Sequence, residues 1–259
     1  MSQILSILKQ SFQIKNKKLL FLLLFVIQTG FIILISYLFV HYFTEVVEVL
    51  EPMMQSIEQM SPDTLIGTQE SLMLYANLKK VTGIFSLAAL VIYLIYAILN
   101  GLNWDFTNLF VNKKLGFPMY EIQFSVLAFI FLLPAMIVFR IILKSLVQLE
   151  FLYPAKIIAG LIVLVTWYFM LISFALINKY KLSQLKKHLL QTFVIGYKKA
   201  KILIPTYAII IAVISGFLYL VYLLQDSAYL SVTFLSLILF IIAVVWTRIY
   251  FLTTMKNLS

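Results

Sequence analysis

A chain of 259 residues that is 63% hydrophobic and only 12% charged is not an ordinary soluble domain, which is about half apolar and about a quarter charged. Its formal charge of +10 lies mostly in short stretches between apolar runs, a pattern that suits anionic lipid and gives no reason to invoke nucleic acid. It has no cysteine, which excludes disulfides, thiolate metal sites and cysteine nucleophiles together.

The chain opens on a short amphipathic stretch, 1–14, with Ile4, Leu5, Leu8 and Phe12 on one face. The apolar run 19–43 follows. It is too long for a signal-peptide core and no small-residue cleavage site comes after it, so it reads as a retained span. Five further runs free of Lys, Arg, Asp and Glu are 81–104, 122–139, 157–178, 202–225 and 227–247, each near the ~20 residues that a helix needs to cross a bilayer. Pro134 sits inside the third, and Pro205 is expected in the first turn of the fifth. An outer loop, 44–80, carries Glu45, Glu48, Glu51, Glu58, Asp63 and Glu70. Val46, Leu50, Met53, Met54, Ile57 and Met60 follow helical spacing there, and Ser61-Pro62-Asp63 reads as a stop and restart. Two short helices over the outer face are expected. Gln225-Asp226-Ser227 is too short for anything but an antiparallel turn between the last two spans.

The strongest amphipathic pattern is 182–199. Leu182, Leu185, Leu189, Leu190, Phe193, Val194 and Tyr197 line one face, opposite Lys186, Lys187, His188, Gln191 and Thr192. The pattern predicts an interfacial helix whose apolar face lies in the inner interface while its lysines meet anionic headgroups. Residues 102–112 repeat the pattern weakly.

A nine-residue element recurs. Gln10-Ser11-Phe12-Gln13-Ile14-Lys15-Asn16-Lys17-Lys18 matches Gln191-Thr192-Phe193-Val194-Ile195-Gly196-Tyr197-Lys198-Lys199 as Q-[ST]-F-x-I-x-x-K-K. A middle copy, Phe106 to Lys114, keeps the Thr, the Asn and the lysine pair. The expected fold is therefore all-α: one membrane domain, 1–259, of six transmembrane helices in three hairpins (1–104, 105–181 and 182–259), each launched by an amphipathic cytoplasmic helix. The lysine pairs Lys17 and Lys18, Lys113 and Lys114, Lys186 and Lys187, and Lys198 and Lys199 are the candidate lipid-headgroup contacts. With the N-terminus inside, only Lys79, Lys80, Arg140, Lys144 and Lys156 of the basic residues fall outside. This charge bias places both termini in the cytoplasm of a multi-pass plasma-membrane protein.

Catalytic groups are not assembled by the sequence. His41 and His188 fall on opposite sides of the bilayer in this topology, so neither metal nor proton can be shared. Asp105 and Glu121 flank the second inner connection, where solvated salt bridges to Lys113 or Lys114 are expected. Gln28, Thr29, Ser173 and Thr247 are polar groups within spans and read as interhelical glue, and Ala212-x-x-x-Gly216 reads as a close-packing surface. No catalytic, cofactor or metal site is expected.

The Q-[ST]-F-x-I-x-x-K-K elements and the span order resemble those of uncharacterised prokaryotic, often archaeal, six-span membrane proteins, including the membrane domain attached to glycerophosphodiester phosphodiesterases. The catalytic domain of those enzymes has no counterpart here. The length and inside termini also resemble permease subunits of ATP-driven exporters, though with a different placement of the large loops. The expected function is thus a non-catalytic membrane protein acting through anionic lipid or a membrane-protein partner. The alternative is a permease subunit that depends on a separate ATPase.

Overall fold

The computed structural model describes residues 2–12, 17–59, 69–146, 152–224 and 230–258; helix accounts for nearly all of them and none is in a strand. The α-helices are α1 Ser2–Ser11, α2 Lys18–Gln59, α3 Gln69–Ile95, α4 Gly101–Asn112, α5 Met119–Leu146, α6 Leu152–Leu176, α7 Leu185–Lys198, α8 Ala200–Leu224 and α9 Leu230–Leu258. A π turn, Tyr96–Asn100, joins α3 to α4. Helix is the expected outcome for apolar runs that cannot bond their backbone to water.

Five segments are long and apolar enough to cross a membrane: Lys18–Pro52, Tyr75–Asn112, Ile157–Lys179, Ala200–Leu224 and Ser231–Leu258. The third run of the sequence reading, 122–139, lies in α5, whose described apolar stretch is the shorter Met119–Pro134.

Three local expectations are corrected. First, α2 is one helix of 42 residues that runs through Pro52, so it does not end at 43 before a separate helix over the outer face. At 1.5 Å per residue it extends about 63 Å, roughly twice the ~30 Å hydrocarbon core. The helical spacing from Val46 to Ile57 is a continuation of the span's own helix. Ser61-Pro62-Asp63 lies outside the described residues. Second, residues 102–112 belong to the helical stretch of the second span; they do not start a new interfacial helix. Third, Pro205 is the sixth residue of α8, because that helix begins at Ala200, straight after α7.

The chain divides into two compact units, Met1–Gln28 with Asn100–Ser259, and Thr29–Leu99. In the smaller, the Phe31 and Tyr96 rings meet edge-on at 6.1 Å. Farther along, Phe39, Phe43 and Val46 of α2 face Ile84, Ala88 and Ile92 of α3 across an apolar groove.

The larger unit is organised around α9, which packs against α1, α4, α6 and α8. Tyr120 Oη donates to the Phe174 carbonyl at 3.1 Å, so the start of α5 lies beside the end of α6. Trp104, Phe124 and Phe174 form the aromatic centre, with Phe124 and Phe174 rings 4.2 Å apart. Helix α1 is clamped to α9: Phe12 stacks on Trp246 at 5.2 Å, and the Trp246 indole donates to Ser11 Oγ at 3.1 Å.

Helix α7 docks through its polar face. His188, Thr192 and Gly196 are its buried residues, whereas Leu190, Phe193, Val194 and Tyr197 are exposed. Small residues let helix backbones approach, and no hydrophobic force drives apolar faces together in lipid. Tyr168 donates to the Gly196 carbonyl at 2.8 Å. A Cβ at Gly196 would come within 2.6 Å of the Phe169 ring and 3.2 Å of Ile172. At Gly216 the same addition meets nothing within 4 Å, and both Ala212 and Gly216 are exposed, so the expected close-packing surface there is not used within this chain.

Gly196→Leu should therefore destabilise the docking of α7 by about 1–3 kcal/mol, while Gly216→Leu leaves stability nearly unchanged. Thermal unfolding in detergent checks this pair. Equal shifts would mean that α7 is not packed through Gly196.

Candidate functional site

The three copies of the recurrent element share a structural role at one position. Ser11, Thr107 and Thr192 are all buried. Each hydroxyl bonds back into its own helix: Ser11 to the Leu8 carbonyl at 2.7 Å, Thr107 to Asn103 at 2.5 Å and Thr192 to His188 at 3.0 Å. A small, self-satisfied polar residue marks the packed face in every copy. The phenylalanines of the outer copies lie at the rim, Phe12 on Trp246 and Phe193 on Phe169 at 4.7 Å.

The lysines of the element do not play one role. Lys17 directs its ammonium to the Phe110 carbonyl and over the Phe110 ring, 4.7 Å from its centroid. Burial first, then the charges of Lys256 and Lys113, lower its pKa from the ordinary lysine value. Lys113 closes α4 in the left-handed conformation, φ 58°, with its N–H on the Leu109 carbonyl. Lys18, Lys114, Lys186, Lys187, Lys198 and Lys199 are exposed. The structure thus gathers Lys17 and Lys113 with Lys256, and brings Lys114 to a cleft with Lys179 and Lys256. Among the described residues no such gathering involves Lys186, Lys187, Lys198 or Lys199.

Lys179 and Lys256 were not among the candidate contacts, nor were Asn108, Asn112 and Asn178, which line the same cleft. A signal for them existed. Asn-Lys pairs stand at 16–17, just before an apolar run, and at 112–113 and 178–179, just after one; at the last two, polar side chains and cations meet the orphaned carbonyls of a helix end. Lys256 does this for α4, donating to the Val111 carbonyl at 3.0 Å.

The carboxylates depart from the sequence expectation. Asp105 is buried rather than solvated, and neither it nor Glu121 forms an ion pair with Lys113 or Lys114 among the described residues. Asp105 instead accepts the Gly116 N–H, at 2.9 Å and 3.3 Å to its two oxygens, and so pins the turn between α4 and α5. Glu121 packs against Gly101, where any side chain would collide with its carboxylate. Above them Arg248 donates to Asn100 Oδ1 at 2.7 Å, and Asn103 donates to Gln28 at 3.1 Å. That last bond supports the reading of Gln28 as interhelical glue.

His188 is the buried hinge-pin of α7. Its Nε2 lies 3.0 Å from both the Ser173 hydroxyl and the Ser173 carbonyl, so either tautomer finds a partner. His41 is on α2, 3.5 Å from Glu45. No protein family matches the chain, and neither does any curated protein or solved structure.

Burial lowers the pKa of His188 below 6.5, against the opposing pull of the Ser173 carbonyl. Below about that pH the unfolded chain binds more protons than the folded one, so stability is full above it and falls on acidification. Relative to His188→Asn, the wild type should lose stability as the pH falls from about 7.5 through the ordinary histidine value, by at most ~1.4 kcal/mol per pH unit. Melting curves of both proteins measure this, and a pH-independent gap between them would contradict it.

Proposed function

We propose that this chain is a non-catalytic multi-pass membrane protein that works through contacts with anionic lipid at its lysine-bearing end. The single observation carrying the reading is the alternation of exposed apolar side chains with lysines there. In the turn after α4, Lys113 and Lys114 are followed by Leu115, Phe117 and Met119, which are 55%, 62% and 63% exposed. On α7, exposed Leu190, Phe193, Val194 and Tyr197 lie among Lys186, Lys187, Lys198 and Lys199. Apolar groups left outside beside ammonium groups are the pattern of an interface, with tails below and headgroups above.

In this reading α5 is the sixth span. Its 28 residues extend about 42 Å, enough for the crossing although its described apolar stretch is short. The spans pair as 1–2, 3–4 and 5–6, and the end carrying both termini faces the cytoplasm of the cell membrane, as the positive-inside bias requires. The likeness to six-span prokaryotic membrane proteins fits this plan and carries no residue role with it. Pull-down from native membrane tests the partner: a co-purifying ATPase would replace the lipid reading with the permease one.

Lys113 supports the reading independently. A left-handed helix end suits glycine, and a lysine there costs about 1 kcal/mol. Lys113→Gly should raise stability by roughly that amount yet weaken binding to anionic vesicles, each interfacial lysine contributing about 1 kcal/mol. Co-sedimentation with phosphatidylglycerol and phosphatidylcholine vesicles, at low and high salt, measures the second effect. Unchanged binding with raised stability would leave Lys113 without a lipid role.

Orientation has its own test, eased by the lack of native cysteine. Gln55→Cys should react with an impermeant thiol reagent applied outside the cell, and Ser183→Cys should not. The opposite pattern would invert the topology.

A further inference from the structure

The helices α4, α6 and α9 end around one polar cleft of about 200 Å³. Its polar rim is Asn108, Asn112, Lys114, Asn178, Lys179 and Lys256; its floor includes Leu176 and Leu252, both buried. Among the described residues no carboxylate lines it. We propose that this cleft binds a single phosphate group, the headgroup phosphate of an anionic lipid or a water-soluble phosphate ester.

The charge balance decides the sign of the ligand. Three helix C-termini bring about −0.5 charge each, roughly −1.5 in all. Taken alone, that would favour a cation. But Lys17 and Lys256 already meet the carbonyls of Phe110 and Val111, two of the orphaned acceptors of α4. Lys114 and Lys179 on its rim then stand in excess, and the buried acid of α4, Asp105, is occupied by the Gly116 N–H. The surplus is positive, and the site takes an anion.

The amides set its shape. Asn112 Nδ2 donates to Asn108 Oδ1 at 2.6 Å, and Asn108 Nδ2 to the Lys114 carbonyl at 3.2 Å. This chain fixes the direction of both amides, and the Asn112 NH₂ keeps a second hydrogen to donate. Ammonium and amide donors converging on one space match the acceptor-only oxygens of a phosphate. The volume lies below the ~300–1,000 Å³ of sites for drug-sized ligands, so the cleft admits a small headgroup and not an acyl chain.

This inference rests on the lipid-interface reading, and the test separates the two. Full-length protein in phosphatidylcholine nanodiscs is titrated with inorganic phosphate, with glycerol phosphate and, in separate nanodiscs, with phosphatidylglycerol. Phosphorus NMR and native mass spectrometry report binding. Lys114 and Lys179 are exposed, so K114Q/K179Q should fold and lose about tenfold in affinity. K79Q/K80Q removes the same charge from α3 and should leave affinity within about twofold. Binding of the soluble phosphates as well as the lipid supports the site with a soluble source; retention of phosphatidylglycerol alone supports it with a lipid source. Equal losses in the two double variants, or no loss in K114Q/K179Q, overturn the cleft. If phosphatidylglycerol still stabilises the protein more than phosphatidylcholine in that event, the interface reading survives. If it does not, both fall.

Discussion

The larger unit depends on how one helix end is satisfied. Helix α4 stops at Asn112 within a crowded bundle, where its last carbonyls have no intrahelical partner. Two of them are met by lysines from distant parts of the chain, Lys17 from the start of α2 and Lys256 from the end of α9. Each bond ties a chain terminus to the middle of the sequence. The turn that follows is held by Asp105 through the Gly116 N–H, and Asn178 and Tyr120 fill the space that a side chain at 116 would need. Helix ends, loop and termini therefore form one polar assembly. Burial first, and then the neighbouring ammonium groups of Lys256 and Lys113, lower the pKa of Lys17; an anion at this surface would relieve the second of these.

Beneath this assembly the polar side chains follow a different rule from those of a soluble core. Gln28 with Asn103 and Arg248 with Asn100 link helices in pairs, each bond worth ~0.6 kcal/mol on average in such settings. Their value is specificity more than strength: an apolar helix surface slides easily on another, and a directed bond fixes the register. Glu121 and Gly101 show the same principle through shape. The carboxylate occupies the space that a side chain at 101 would fill, so the two positions constrain each other.

The apolar runs were legible because length and absence of charge are properties of the segment itself. Where the helices stop was less so. Glu45, Glu48 and Glu51 suggested the end of a span, yet α2 continues through them and through Pro52, since a helix that leaves the bilayer need not end there. Asp105 was misplaced for a related reason. One residue beyond an apolar run it looks solvated, but the chain turns at 113–118 and folds Gly116 back onto it. The cleft was hardest to see, because its rim comes from 108–114, 178–179 and 256, and only the third dimension brings these together. Its sole trace in the sequence was the recurrence of Asn beside Lys at the ends of apolar stretches.

Helix α7 shows what an amphipathic pattern leaves open, namely which residues of the polar face meet protein. The face of Leu190, Phe193, Val194 and Tyr197 is continuous and apolar, as the sequence suggests. In water that face would be the one to bury, at roughly 25 cal/mol per Å². Beside a bilayer the hydrocarbon supplies the same gain without any protein contact, so the apolar face has no claim on the fold. What the protein can offer and lipid cannot is hydrogen bonding and close backbone approach. Those go to His188, Thr192 and Gly196, spaced at i, i+4 and i+8, which meet Ser173, Tyr168 and Phe169 on α6. The same logic accounts for Ser11 and Thr107, each the buried small polar residue of its copy. In the recurrent element it is therefore the Ser or Thr, more than the conspicuous Phe and Lys, that fixes how each helix is mounted. The Phe residues of the outer copies are left at the rim, and the lysines play several roles.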